Sequence, residues 1–550
     1  MPQHPQQPAT IGFLSAAVSG LALVTVAVML VVLFGVFDAL HYRSIADFFT
    51  PDASAAAGTL GLVGGAEGVT LSIVLISVMF GIQTSSSRYS PRIIGIFTRN
   101  PLNAFVLSFA LASILYTFLV RSEVKVNYVP LASVALAEVL ALVNFALLFP
   151  YVLYIFEFMR PETLIEGIIR NGHRNLKRAQ AGGEPRRHRR ELMTYVAQVT
   201  DIAFGSIQLG DMPVAVLGIE SLGNFVANEY LPAKKGLSAE WFKVSHAELP
   251  GASDQIITEV NRGRTWFVYS ALSSFVDMIG LIPVHRKEAV HAIAIATRQI
   301  GLAAIEAGDP EVADLTVRFF NTYLRVAVNR SAPTFASGIM NEYRRYAIGA
   351  LEWRRDLSIE SAAHLLRYGR HFDEASMPAT FGAAAEDVAD LAIEAHVRDP
   401  QVSFRLAQLL VRNLLDLIPS ARPIGLNGLF KAVAKLACWS MASDEKDITH
   451  VLLEGIAAAP PEFVDAALSR METMQNGLFW EVNERVISFD WLEQPLRDEI
   501  PRLRVALRRV KSGGNGSSTP MTVQLQAIPA VTQDLVKPGP GSEMPVTGAG

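Results

Sequence analysis

Long, almost uncharged apolar runs fill the first quarter of the chain, and shorter amphipathic ones fill most of the rest. Four runs, at about residues 11–37, 59–82, 102–120 and 131–156, are each near the roughly 20 residues that a helix needs to cross a hydrocarbon layer. They predict four transmembrane helices. Pro150 interrupts the fourth, where a missing amide predicts a kink. A cleaved leader fits the first run poorly, because no Lys or Arg precedes it and it exceeds a leader's apolar core.

Beyond residue 160 the apolar positions recur at three and four residue spacings. Val312, Leu315, Phe319, Phe320, Tyr323 and Leu324 are an example, and they define one buried helical face. The breaks carry helix-start chemistry: Gly210-Asp211-Met212-Pro213, Gly308-Asp309-Pro310-Glu311 and Arg398-Asp399-Pro400-Gln401. In each, Asp can cap a helix that opens near a residue needing no amide partner. Strand signals are scarce. The expected fold is all-α, with a short tail (1–10), a four-span region (11–158), a basic juxtamembrane linker (159–190) and a large cytoplasmic helical domain (191–511). That domain could be a bundle or an α-solenoid. The Gly, Ser, Pro and Thr rich end, 512–550, reads as disordered. Residues 265–284 could be taken for a further span, but Asp277, three serines and Pro283 favour a buried soluble helix.

Composition supports the membrane reading. Only 18% of the 550 residues are charged, against roughly 25% in an average soluble protein. Lys plus Arg number 48 and Asp plus Glu 52, with a single cysteine. That argues against a basic nucleic-acid binder, a disordered regulator and a disulfide scaffold. Nine basic and three acidic residues crowd into 159–190, a basic collar directly after the apolar quarter. Arginines 88, 92 and 99 in the second connection, with this collar, predict both termini on the cytoplasmic side. Between Pro91 and Pro101, Arg92 and Arg99 flank Ile93, Ile94, Ile96 and Phe97. With Arg88 they suit either a headgroup-level segment touching anionic lipid or a plain solvated turn.

The stretch Ser77-Val-Met-Phe-Gly-Ile-Gln-Thr-Ser-Ser-Ser-Arg-Tyr-Ser-Pro-Arg92, followed by Asn100-Pro101 and a span ending Leu115-Tyr-Thr-Phe-Leu-Val120, resembles the bacterial predicted membrane proteins called domain of unknown function 2254. There a Ser-Ser-x-aromatic-Ser-Pro-Arg-like motif likewise joins the second and third of four spans. Thr200-Asp-Ile-Ala-Phe-Gly-Ser-Ile-Gln-Leu-Gly-Asp-Met-Pro-Val-Ala-Val216 is a degenerate form of that family's soluble Ala-Leu-Ser-Pro-Gly-x-Asn-Asp-Pro-x-Thr-Ala motif. The resemblance runs over residues 10–230. It implies no established activity, and the expected location is a bacterial inner membrane, crossed several times.

Two acids lie within the spans. Glu67 and Glu138 sit some seven or eight residues below one surface, roughly 10 to 12 Å deep. A carboxylate there costs several kcal/mol unless protonated, paired or facing water. The expectation is that both face a shared polar interior, lined also by Ser72, Ser77 and Asn144, and bind a proton or cation. The alternative for Glu67 is a helix that starts late, near Gly68, leaving the acid at the interface. Gly64, Gly65 and Gly68 around it would allow close helix approach.

No phosphate loop, His-Glu-x-x-His or paired-cysteine motif is present, so no enzyme activity, cofactor or metal is expected. His285, His291, His364 and His371 read as ordinary polar surface, and Cys438 as core. Arg186-Arg-His-Arg-Arg190 reads as a solvated basic loop held near anionic lipid, because no aromatics are interleaved for nucleic acid. Two functions remain open. One is an oligomeric ion channel or transporter, a homo-oligomer with a regulatory cytoplasmic domain. The other is a membrane-anchored scaffold or sensor whose helical domain binds a protein partner.

Overall fold

The computed structural model describes residues 52–88, 101–158, 160–419, 423–474 and 490–513. The first expected span, Arg92, Arg99 and the tail from 514 lie outside the described residues. Among the described residues the fold is all-α; an isolated bridge between Lys125 and Tyr128 is the one strand-like pairing. The chain falls into two compact units, 1–361 and 362–550.

Unit 1 opens with three helices long and apolar enough to cross a membrane: α1 (Ala53–Arg88), α2 (Pro101–Glu123) and α3 (Leu131–Phe158). Each packs on the other two. Their buried positions recur at threes, fours and sevens: Ala56, Leu60, Glu67 and Val74 on α1; Val106, Ala110, Ser113, Thr117 and Val120 on α2; Val134, Ala137, Ala141, Asn144 and Tyr151 on α3. Such a seam keeps one face of each helix on its partners. The opposite faces expose Leu62, Ile76, Met79, Phe105, Leu119 and Phe149, as a surface dissolved in acyl chains requires. α1 starts six residues before the apolar run suggests, so Glu67 lies well inside it rather than at a late start near Gly68. α3 continues through Pro150.

The rest of unit 1 is helical, and the basic collar is part of it. Pro161–Gln180 ends just ahead of Gly182 and Gly183, and Pro185–Leu209 follows. Residues 186–190 are therefore the first turns of a helix and not a solvated loop. Arg189, 3% exposed, donates to Glu248 and to the Glu240 carbonyl, because a buried guanidinium must have all its donors met. Lys287–Glu306 forms the centre, packed by Met212–Asn224, Pro310–Asn329 and Pro333–Ala350. Trp266–Leu281 buries Phe267, Leu272, Phe275 and Ile279 and has only 16 residues. It is a core helix, too short to be a further span.

The connections share a device. At Gly210, Arg264, Gly308, Ser331, Ser376 and Asp444 the chain turns left-handed. The following amide then donates to the carbonyl five residues before it, as Asp309 does to Ala304 and Thr265 to Val260. This is a Schellman ending. In all six that same following residue is the cap of the next helix. Asp309 accepts from the Val312 amide at 3.3 Å, and Asp399 caps its helix from the Gln401 amide at 3.0 Å. The four non-glycine residues accept a left-handed backbone at a cost of about 1 kcal/mol each. They do so because the stop and the next start must occupy adjacent residues.

In unit 2, Pro378–Arg398, Pro400–Leu417 and Pro423–Ala442 each pack on the next helix and the next but one, as stacked helical pairs do, while Lys446–Ala457 packs forward on Ile500–Gly513. Pro378–Arg398 and Pro423–Ala442 meet at Gly382 and Gly428, where a Cβ added to Gly428 would lie 2.6 Å from the Gly382 Cα. Beside this crossing Lys435 binds Asp390 at 2.7 Å and Glu386 at 3.3 Å, while Lys431 stands 3.7 Å from Glu386. Burial pulls the Lys431 amine below its usual range. Cys438 lies in the same core, and burial pushes its thiol up to about 12.

Two outcomes follow from this packing. Gly428→Ala should destabilise the protein by about 1 to 3 kcal/mol through overpacking, seen as a lowered thermal midpoint of the detergent-solubilised chain. Cys438 should resist a thiol reagent at pH 8 in the folded protein and react fully in denaturant, because a buried thiol supplies almost no thiolate.

Candidate functional site

Packing divides the three-helix seam into layers. Leu60, Val120, Val134 and Ala137 form an apolar cluster at one end, and Val74, Val106, Tyr151, Tyr154 and Ile155 another at the opposite end. The repeat of seven fixes what lies between. Glu67 is seven residues from Leu60 and from Val74, Ser113 seven from Val106 and from Val120, and Asn144 seven from Ala137 and from Tyr151. All three therefore fall in one central layer, and all three are buried, with Glu67 fully so.

The acid is held from α2. The Ser113 hydroxyl donates to Glu67 Oε1, and Thr117 Oγ1 donates to Oε2 at 2.9 Å. Ser113 and Thr117 are four residues apart, hence on one helical face. One turn away on α1, Gly64 leaves room for α2, since a Cβ there would lie 3.4 Å from the Thr117 methyl. Thr70 is also buried and spends its hydroxyl on the Ala66 carbonyl at 3.0 Å. Asn144 Nδ2 is buried without a hydrogen-bond partner. Among the described residues no Lys, Arg or His pairs with Glu67. Towards the end of α2 the Arg121 guanidinium lies over Gly61, 2.9 Å from where a Cβ would sit.

Chemically this is a carboxyl group with two hydroxyl donors and an adjacent orphan amide, sealed by apolar clusters above and below. Two neutral hydrogen bonds do not offset the desolvation of a full negative charge. A proton or a small cation would complete the layer, and the carboxyl, hydroxyl and amide oxygens are hard donors suited to such an ion.

The sequence-derived set is only partly assembled. Glu67 and Asn144 enter the layer. Glu138 does not: it is exposed, because its neighbour Ala137 occupies the seam and one residue turns a helix by about 100°. The two acids thus do not share an interior in the described bundle. Ser72 is exposed and donates to the Gly68 carbonyl of its own helix at 2.9 Å, and Ser77 is half-buried. Arg88 ends α1, and Arg92 and Arg99, expected beside it as lipid headgroup contacts, lie outside the described residues. Ser113 and Thr117 are the residues that sequence reading misses. Their four-residue spacing within an apolar run was the available signal.

Elsewhere, His364 is buried rather than on the surface, and His371 stands 3.1 Å from Glu374. Among the described residues no three His, Cys, Asp or Glu side chains are grouped to hold a metal.

The family model described as predicted membrane protein (DUF2254) matches residues 9–207, so that stretch is similar to this family. It includes the three helices and the whole Glu67 layer. No curated protein and no solved structure matches the chain.

Removing either hydroxyl should loosen the bundle. Ser113→Ala and Thr117→Val are each expected to cost about 0.5 to 2 kcal/mol, read from denaturant unfolding in micelles. In the Glu67→Leu background both costs should largely vanish, because the partner is gone.

Proposed function

We propose that this membrane protein is an ion channel or transporter that binds a proton or small cation at Glu67, with Ser113, Thr117 and Asn144 completing the site. The observation that carries this reading is a fully buried carboxyl group at the middle of an apolar seam, with no basic partner among the described residues. A pure anchor has no use for such a group, since an apolar residue in its place would pack more stably.

Three helices whose seam is apolar at both ends leave little room for a pathway. A homo-oligomer supplies further helices. Glu138, exposed on the outer face of α3, supports this: an ionisable side chain at that depth is best covered by another helix or by water. The helical region after residue 160 would then regulate the bundle from the cytoplasmic side, with Arg170, Arg174, Lys177 and Arg178 of Pro161–Gln180 near anionic headgroups of an inner membrane. A scaffold or sensor docking a protein partner is the reading left if transport fails.

Reconstituted protein should pass protons or monovalent cations in a liposome flux assay run across a pH series. Glu67→Gln keeps the shape and an oxygen for the hydroxyls but removes the charge, and flux should fall at least tenfold. Flux equal to that of empty liposomes would overturn transport, and no difference between wild type and Glu67→Gln would overturn Glu67 as its site. Glu138→Gln in the same assay tests whether the second acid lies in the path.

A further inference from the structure

A cleft in the helical part of unit 1, independent of the transport reading, carries a charge pattern of its own. It has a volume of about 280 Å³ and is lined by Lys234, Lys235, Arg262, Arg264, Asp309 and Glu311 over an apolar floor that includes Leu231 and Phe242. That volume lies near the lower end for small-molecule sites. Two positive charges are in excess. Lys234 is bound to Asp309. Among the described residues no ion pair holds Lys235, Arg262 or Arg264, and all three are exposed.

The placement of Arg264 adds to this. It takes the left-handed position that ends Asp254–Arg262, at φ 54°, although Gly263 stands one residue earlier in ordinary helical geometry. The glycine is not where the backbone needs it. Gly263 instead allows close approach of Glu311, whose Oε2 would be 3.1 Å from an added Cβ. The arginine is aimed over the Phe242 ring, 5.4 Å from its centre, which fixes the guanidinium at the cleft wall. Asp309 already caps Pro310–Asn329, so the pull on an anion comes from the side chains rather than from the helix end.

We propose that this cleft binds a phosphate-bearing ligand, with Lys235, Arg262 and Arg264 contacting the phosphate oxygens and the apolar floor receiving the ester. Two guanidinium forks and an ammonium lining one cleft suit a multiply charged oxyanion better than a single carboxylate. The phosphate could belong to a soluble ester or to a lipid headgroup, and the test separates the two.

Full-length protein in phosphatidylcholine nanodiscs is titrated with pyrophosphate by calorimetry. In parallel, phosphatidylglycerol retained on the protein is counted by native mass spectrometry. Saturable pyrophosphate binding assigns a soluble ligand, and retained phosphatidylglycerol assigns a headgroup. Whichever is seen should weaken at least tenfold in Lys235→Ala/Arg262→Ala. It should be unchanged in Arg325→Ala, which removes an exposed cation from the far part of Pro310–Asn329, with thermal midpoints confirming that both variants fold. Binding in neither arm overturns the proposal, as does binding that the double variant retains or that Arg325→Ala weakens equally.

Discussion

The membrane part of this protein is organised around one buried carboxyl group. Glu67 enters the seam of three apolar helices with two hydroxyl donors from the neighbouring helix, and everything near it accommodates that choice. Gly64 is small so that α2 can come close. The layers above and below are aliphatic and aromatic, which excludes water and raises the cost of any charge left uncompensated. The repeat of seven that seats Leu60 and Val74 also seats Glu67, so the acid cannot leave the seam without moving the helix.

A second constraint shapes the helical part. Consecutive helices are joined with almost no loop, one left-handed residue ending the first and the next residue capping the second. Such joints satisfy exposed helix-end groups locally and fix where each chain reversal occurs. They also explain why polar residues with left-handed backbones, Ser331, Ser376 and Asp444, stand where glycine would be less strained. Close helix crossing is achieved separately, by Gly382 against Gly428 in unit 2 and by Gly301 against Tyr346 and Thr316 in unit 1.

Much of the helical grammar is legible from residues alone. Asp309 and Asp399 cap helices as their position before proline suggests, and Val312, Phe319, Phe320, Tyr323 and Leu324 are buried as their spacing requires. Leu315, of the same sample, is only partly buried, since it lies at the margin of that face. Arg189 shows the limit. Its basic neighbours make residues 186–190 look like a solvated loop, yet the Glu248 that buries it is 59 residues away, and no local pattern announces such a partner.

The sequence by itself determined that the early part of the chain suits lipid, that the rest is helical, and that Glu67 and Glu138 are the anomalous acids. Those are consequences of hydropathy and of three and four residue periodicity, which are local properties. Only the tertiary structure decided that Glu67 faces inward while Glu138 faces outward, and that Ser113 and Thr117 join the first. The reason is angular: each residue advances a helix by about 100°, so the heading of one side chain depends on which face the neighbouring helices select, and that selection involves residues far apart in the chain.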